Sequence, residues 1–176
     1  MTGLVEHTIV HIEDDAAHWQ PLTTLLHTAI GEHLDRISGD ALSSLILVPP
    51  EELHKYPAHT KIMWDHQDLQ YVVNYWLVNT ITIDPIKERL EGRQPIFILD
   101  VMRPKKDSGL YSTLAATLAS IRPFVVNEEH QVRLFTAYSQ ADGVEFPPNA
   151  PVMFKKGVET SQLLSFLLER LGFGGP

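Results

Sequence analysis

The run Ile96-Phe97-Ile98-Leu99, closed by Asp100 and bracketed by Pro95 and Pro104, constrains the fold of this chain most. Four consecutive apolar residues between prolines suit a strand buried on both faces, as in a parallel sheet covered by helices. A carboxylate is seldom left in such a core without a partner, so Asp100 belongs at the carboxyl edge of the sheet. That edge is where open α/β sheets bind ligands.

The rest of the chain supplies companions for this strand. Thr8–Ile12 is a short β-branched run that stops at Glu13, Asp14 and Asp15, and so predicts a first strand delivering acids to the same edge. Trp19, Leu22, Leu25, Leu26, Ala29, Ile30, Leu34 and Ile37 keep helical spacing, which predicts a helix from about Ala16, with Asp15 able to cap it. Leu45–Val48 reads as the second strand, stopped by Pro49 and Pro50. Residues 51–65 lack periodicity and read as a loop-rich insertion interrupted by Pro57. In 68–79, Leu69, Val72, Val73, Trp76 and Leu77 match a helix, although the β-branched and aromatic content also suits a strand; a helix is expected here. Asp84-Pro85 opens a short helix that Gly92 ends.

Beyond Asp100, Leu110, Leu114, Leu118 and Ile121 form the stripe of a helix beginning near Ser108 and ending at Pro123. Val132–Thr136 and Val152–Phe154 are further strands, the first ending in a hydroxyl and the second followed by Lys155 and Lys156. A last helix over about 161–171 carries Leu163, Leu164, Leu167, Leu168 and Leu171 and is closed by Gly172. Alternating strands and helices predict an α/β fold with a five-stranded parallel sheet covered on both faces.

At 176 residues the chain suits a single domain, 1–176, with an insertion over about 49–83. A formal charge of -8 argues against nucleic acid and anionic membrane as partners. Without cysteine there is neither a disulfide nor a thiolate metal site. No apolar run reaches membrane-spanning length and Met1–Glu6 lacks the basic start of a signal peptide, so the expected location is cytoplasmic. Nine histidines are scattered with no ligand spacing on a helix, which leaves structural zinc unsupported; His7 and His11 read as a satisfied polar edge of the first strand.

Glu13 and Asp14, Asp100, Thr136 and Lys156 thus stand at four predicted strand ends. Carboxylates brought together repel unless a cation lies between them, and an all-oxygen set suits Mg²⁺ with retained waters. A hydroxyl and an ammonium beside that cation can bind the other oxygens of a phosphoryl group, and neutralising its charge is most of what phosphoryl transfer requires.

This set, in this order, resembles the receiver domain of two-component response regulators. The matching pieces are HIEDD, LDVMRP with its proline four residues after the aspartate, Asp107-Ser108-Gly109 opening the next helix, FTA, and FKKG followed by VETSQLL. The resemblance implies a flavodoxin-like, doubly wound sheet of order 2-1-3-4-5, here with its insertion between strands 2 and 3. It also implies that Asp100 accepts a phosphoryl group from a histidine kinase or histidine phosphotransfer protein. Asp14, Asp100 and the backbone carbonyl of Met102 would hold Mg²⁺, with Glu13 acting mostly through a metal-bound water. Thr136 and Lys156 would bind phosphoryl oxygens, and Ala137 is small enough to leave the site open.

Three departures concern the switch rather than the chemistry. Gly157 follows the lysine where the family usually has proline, Met153 replaces the aromatic switch residue, and Pro147, Pro148 and Pro151 reduce the fourth helix. The expectation is a stand-alone signalling switch acting on a downstream protein, with a homodimer among the candidate partners, and self-phosphotransfer rather than turnover as its chemistry. Tyr56, Trp64, Tyr71, Tyr75 and Trp76 in the insertion serve either as its own core or, where exposed, as an interaction surface. One alternative is a degenerate receiver that binds partners without phosphorylation. A less favoured one is an aspartate-nucleophile phosphohydrolase, whose general-acid aspartate is replaced here by Met102.

Overall fold

The computed structural model describes residues 3–38, 44–52, 55–101, 110–137 and 146–174. The first half comprises β1 (Gly3–Ile12), α1 (Ala16–Ser38), β2 (Ile46–Val48), β3 (Ala58–His66) and β4 (Leu69–Val78), then a 3-10 turn at Asp84–Leu90. The second half comprises β5 (Ile96–Leu99), α2 (Leu110–Ile121), the single turn α3 (Glu128–Gln131), β6 (Val132–Thr136), β7 (Met153–Lys155) and α4 (Thr160–Arg170). Among the described residues, the strands join one sheet in the order β2-β3-β4-β1-β5-β6-β7.

The α/β class agrees with the sequence reading, but the sheet has seven strands and is mixed, where five parallel strands were expected. The pairs β4–β1, β1–β5, β5–β6 and β6–β7 are parallel, whereas β2–β3 and β3–β4 are antiparallel. Two segments cause the difference. Residues 68–79 form β4 rather than a helix, because Val73–Val78 are buried without a break and a surface helix would expose part of every turn. Residues 58–66, expected as loop, form β3, with Ala58, Thr60, Ile62 and Trp64 buried in strict alternation. The run at 45–48 is not the neighbour of β1. Its strand is a three-residue edge on β3, and Ile46 is 51% exposed. The extra pair β2–β3 therefore enters the chain before β4.

Two hydrophobic clusters lie on opposite faces of the sheet. Ile9, Val73, Tyr75 and Ile98 pack with Leu22, Leu26, Ile30 and Leu34 of α1 and with Leu163, Phe166 and Leu167 of α4. Those four α1 residues repeat at every fourth position, and burying each contributes about 1.5–3 kcal/mol. Leu25 and Ile37, expected in the same stripe, are exposed. On the other face Val10, Ile12, Phe97 and Leu99 pack with Leu114 and Ile121 of α2 and with Ile83, Ile86 and Leu90 around the 3-10 turn.

Trp64, Tyr75 and Trp76 are buried within this core, and Tyr56 and Tyr71 are half-buried. The insertion therefore supplies part of the main sheet, and the expected aromatic interaction surface shrinks to the edges of Tyr56 and Tyr71. The segment expected to hold a reduced fourth helix lies mostly in 138–145, outside the described residues; Phe146–Pro151 contains a turn at Pro148 and Asn149.

Candidate functional site

Since β1, β5, β6 and β7 are parallel neighbours, their carboxyl ends share one edge of the sheet. Backbone hydrogen bonds carry the ladder one residue past the strands. The Glu13 amide donates to the Val78 carbonyl at 2.9 Å, the Asp100 amide to the Ile12 carbonyl at 2.9 Å, and the Lys156 amide to the Thr136 carbonyl at 3.0 Å. The residues at this rim are thus fixed by sheet register and not by loop conformation.

Glu13 and Thr136 expose no surface and Asp100 is 7% exposed, whereas Asp14 points to solvent. Lys156 bridges the carboxylates. Its Nζ pairs with Glu13 Oε2 and lies 3.1 Å from Asp100 Oδ2. The Asp15 amide donates to the second oxygen, Glu13 Oε1, at 3.1 Å. Burial, then the charge of Asp100, pushes the Glu13 carboxyl up from 4.5 to about 8, although Lys156 and the Asp15 amide pull it down.

Carboxylate oxygens of Glu13, Asp14 and Asp100 lie within 4.8 Å of one another. Asp100 Oδ1 is buried and has no hydrogen-bond partner among the described residues. Such an oxygen costs about 1–3 kcal/mol or more when nothing satisfies it, and a hard cation satisfies it directly. The donor set therefore fits Mg²⁺. The expected fourth contributor, the Met102 carbonyl, lies outside the described residues, as do Arg103 to Gly109.

Glu13, Asp14, Asp100 and Lys156 come together at this rim, and Thr136 meets it through its carbonyl, which accepts from the Lys156 amide. Lys155 is exposed and belongs to solvent. Gly157 has φ 76°, a conformation open to glycine and closed to proline, so the turn after Lys156 is committed to the departure noted above. Two residues were not expected at the site. His11 and Tyr75 are fully buried beneath Glu13, with the Tyr75 hydroxyl 2.9 Å from His11 Nδ1 and His11 Nε2 3.9 Å from Glu13 Oε2. The period of a strand, which places His11 on the face of Glu13, was the available signal for the histidine.

No protein-family description matches this chain, and no curated protein matches it in sequence. Among solved structures it is similar to the G domain of the T. maritima FeoB iron transporter, at 10% identity and a TM-score of 0.36, covering 95% of this chain and 98% of that one. The cytosolic domain of the same protein in its GDP form II gives 11% identity and a TM-score of 0.37, over 96% of this chain and 63% of that one. Likeness at this level carries no functional argument. The present sequence also contains no Gly-Lys pair, so the phosphate-binding GxxxxGK[ST] loop is absent. Among the described residues, no helix is long and apolar enough to cross a membrane.

Proposed function

We propose that this chain is a receiver-type phosphorylation switch, with Asp100 accepting a phosphoryl group from a histidine kinase or histidine phosphotransfer protein. The observation carrying this reading is the convergence of Glu13, Asp14, Asp100, Thr136 and Lys156 at one sheet rim. The strand order lends support: the parallel strands β4-β1-β5-β6-β7 are, in chain sequence, second, first, third, fourth and fifth, as the flavodoxin-like arrangement requires.

In the proposed transfer, Asp100 Oδ2 attacks phosphorus, leaving Oδ1 for the cation site. The new P–O bond replaces the P–N bond of the donor phosphohistidine, and the imidazole leaves with a proton taken from solvent. Lys156, already beside Asp100 Oδ2, turns its ammonium to a phosphoryl oxygen, and the Thr136 hydroxyl donates to another. Glu13, Asp14 and Asp100 would hold Mg²⁺, which supplies charge neutralisation on the phosphoryl oxygens. The signal would pass to a downstream protein in the cytoplasm.

The Gly157 turn favours a second reading, a receiver fold used as a phosphorylation-independent binding module, since it changes the segment beside the lysine. One experiment separates them. Incubation with Mg²⁺ and a small phosphodonor should modify one residue, located by mass measurement of Asp100 peptides, and Asp100→Asn should abolish the label. A label that survives this substitution removes Asp100 from its role, and no label or beryllofluoride binding at all leaves the binding module.

A further inference from the structure

Ile9, His11 and Glu13 follow one another at strand period and face the layer of α1 and α4, where an apolar row would be expected. Two of the three are polar, and neither His11 nor Glu13 exposes any surface. Tyr75 of β4 is equally buried and meets His11 Nδ1 at 2.9 Å, while His11 Nε2 lies 3.9 Å from Glu13 Oε2, the oxygen paired with Lys156. Phe135 of β6 flanks the imidazole with ring centres 6.3 Å apart. A buried polar row of this kind is retained at a cost over apolar packing, and it ends at the candidate cation site.

We propose that Tyr75 and His11 are positioning residues that fix the His11 tautomer and, through it, the Glu13 carboxylate beside Lys156. This rests on the reading of Glu13, Asp14 and Asp100 as a cation site. Nδ1 faces the Tyr75 hydroxyl and Nε2 faces Glu13, and in the proposed tautomer Nδ1 accepts from that hydroxyl. The ring proton then sits on Nε2, the nitrogen nearer Glu13. An N–H dipole there favours the carboxylate, whereas the other tautomer would set a lone pair against it. At 3.9 Å the contact is a dipole-to-charge one, longer than a hydrogen bond. Glu13 then meets Lys156 and His11 on Oε2 and the Asp15 amide on Oε1, contacts that oppose rotation of its carboxylate. The geometry offered to a cation is set from β4, a strand that contributes no ligand.

Two measurements on the full chain test this. Nitrogen chemical shifts of the imidazole in metal-free protein should place the proton on Nε2, and Tyr75→Phe should give mixed tautomers. A proton on Nδ1 in the unsubstituted chain overturns the proposal without any variant. Calorimetric Mg²⁺ titration should show Tyr75→Phe and His11→Asn binding on the order of tenfold more weakly. His11→Gln, whose amide reaches towards the Nε2 position, should bind close to the unsubstituted chain. Equal losses for the Asn and Gln variants, or no loss for any, would make the pair merely structural. If the unsubstituted chain binds no Mg²⁺, the cation reading falls, and the tautomer result alone then decides whether Tyr75 and His11 position Glu13.

Discussion

Glu13 pairs with Lys156, yet its carboxyl group is pushed up to about 8 because burial and Asp100 outweigh the lysine. A carboxyl raised above its unfolded value of 4.5 contributes stability that is fully present below about pH 4.5 and is lost as pH rises through about 8. His59 and His7 work in the opposite sense. Burial lowers both, so their contribution is present above the ordinary 6.5 and is lost as pH falls below it. The difference between the unsubstituted chain and Glu13→Gln isolates the carboxyl. In chelator, denaturant unfolding should show the parent losing stability relative to the variant between about pH 5 and 8. A difference that is flat across that range would remove Glu13 as its source.

At the scale of elements, the hairpin joining β3 to β4 decides the architecture, since it turns the segment before β5 into sheet. Its turn residues, Gln67 and Asp68, have φ of 51° and 63°, both left-handed, as a type I′ turn demands. Neither is the asparagine or glycine that adopts this conformation most easily. The double substitution Gln67→Asn, Asp68→Gly should therefore stabilise the protein by roughly 0.5–2 kcal/mol, read as a higher urea midpoint with an unchanged slope. An unchanged or lower midpoint would mean that this turn stores no strain. The same turn explains why the hairpin was illegible: Gln-Asp is not a recognisable hairpin signal. In β4, Leu69, Val72, Val73, Trp76 and Leu77 satisfy helical spacing as well as strand burial, and periodicity cannot choose between them. In β3 the inward positions begin with Ala58 and Thr60, too weakly apolar to announce an alternation. β5 was legible as an unbroken apolar run stopped by Asp100, and β1 and β6 as short runs rich in β-branched or apolar residues that end in polar groups. Tyr75 was missed because it belongs to the strand read as a helix.

For the whole molecule, the rim gathers three carboxyl groups against one described ammonium, that of Lys156, so a bound cation should act on global stability. A ligand that binds only the folded state adds about 2.7 kcal/mol at a hundred times its dissociation constant. Mg²⁺ should accordingly raise the thermal unfolding midpoint, and Asp14→Asn should reduce that rise while leaving the chelated protein no less stable. A midpoint indifferent to Mg²⁺ up to about millimolar levels, where exchangeable sites of this type operate, would end the cation assignment. The strand order gives this stabilisation a place to be read. β1 pairs with β4 along its whole length and with β5 over Ile9–Ile12, so those four residues are flanked on both sides. Their amide hydrogens can reach solvent only when the sheet parts, whereas those of the exposed three-residue β2 can escape by fraying. A cation at the rim would then slow deuterium uptake at Ile9–Ile12 in full proportion to its effect on folding and leave uptake at Ile46–Val48 nearly untouched. The strand that carries Glu13 to the rim is in this sense, with its neighbours β4 and β5, among the last parts of the molecule to open.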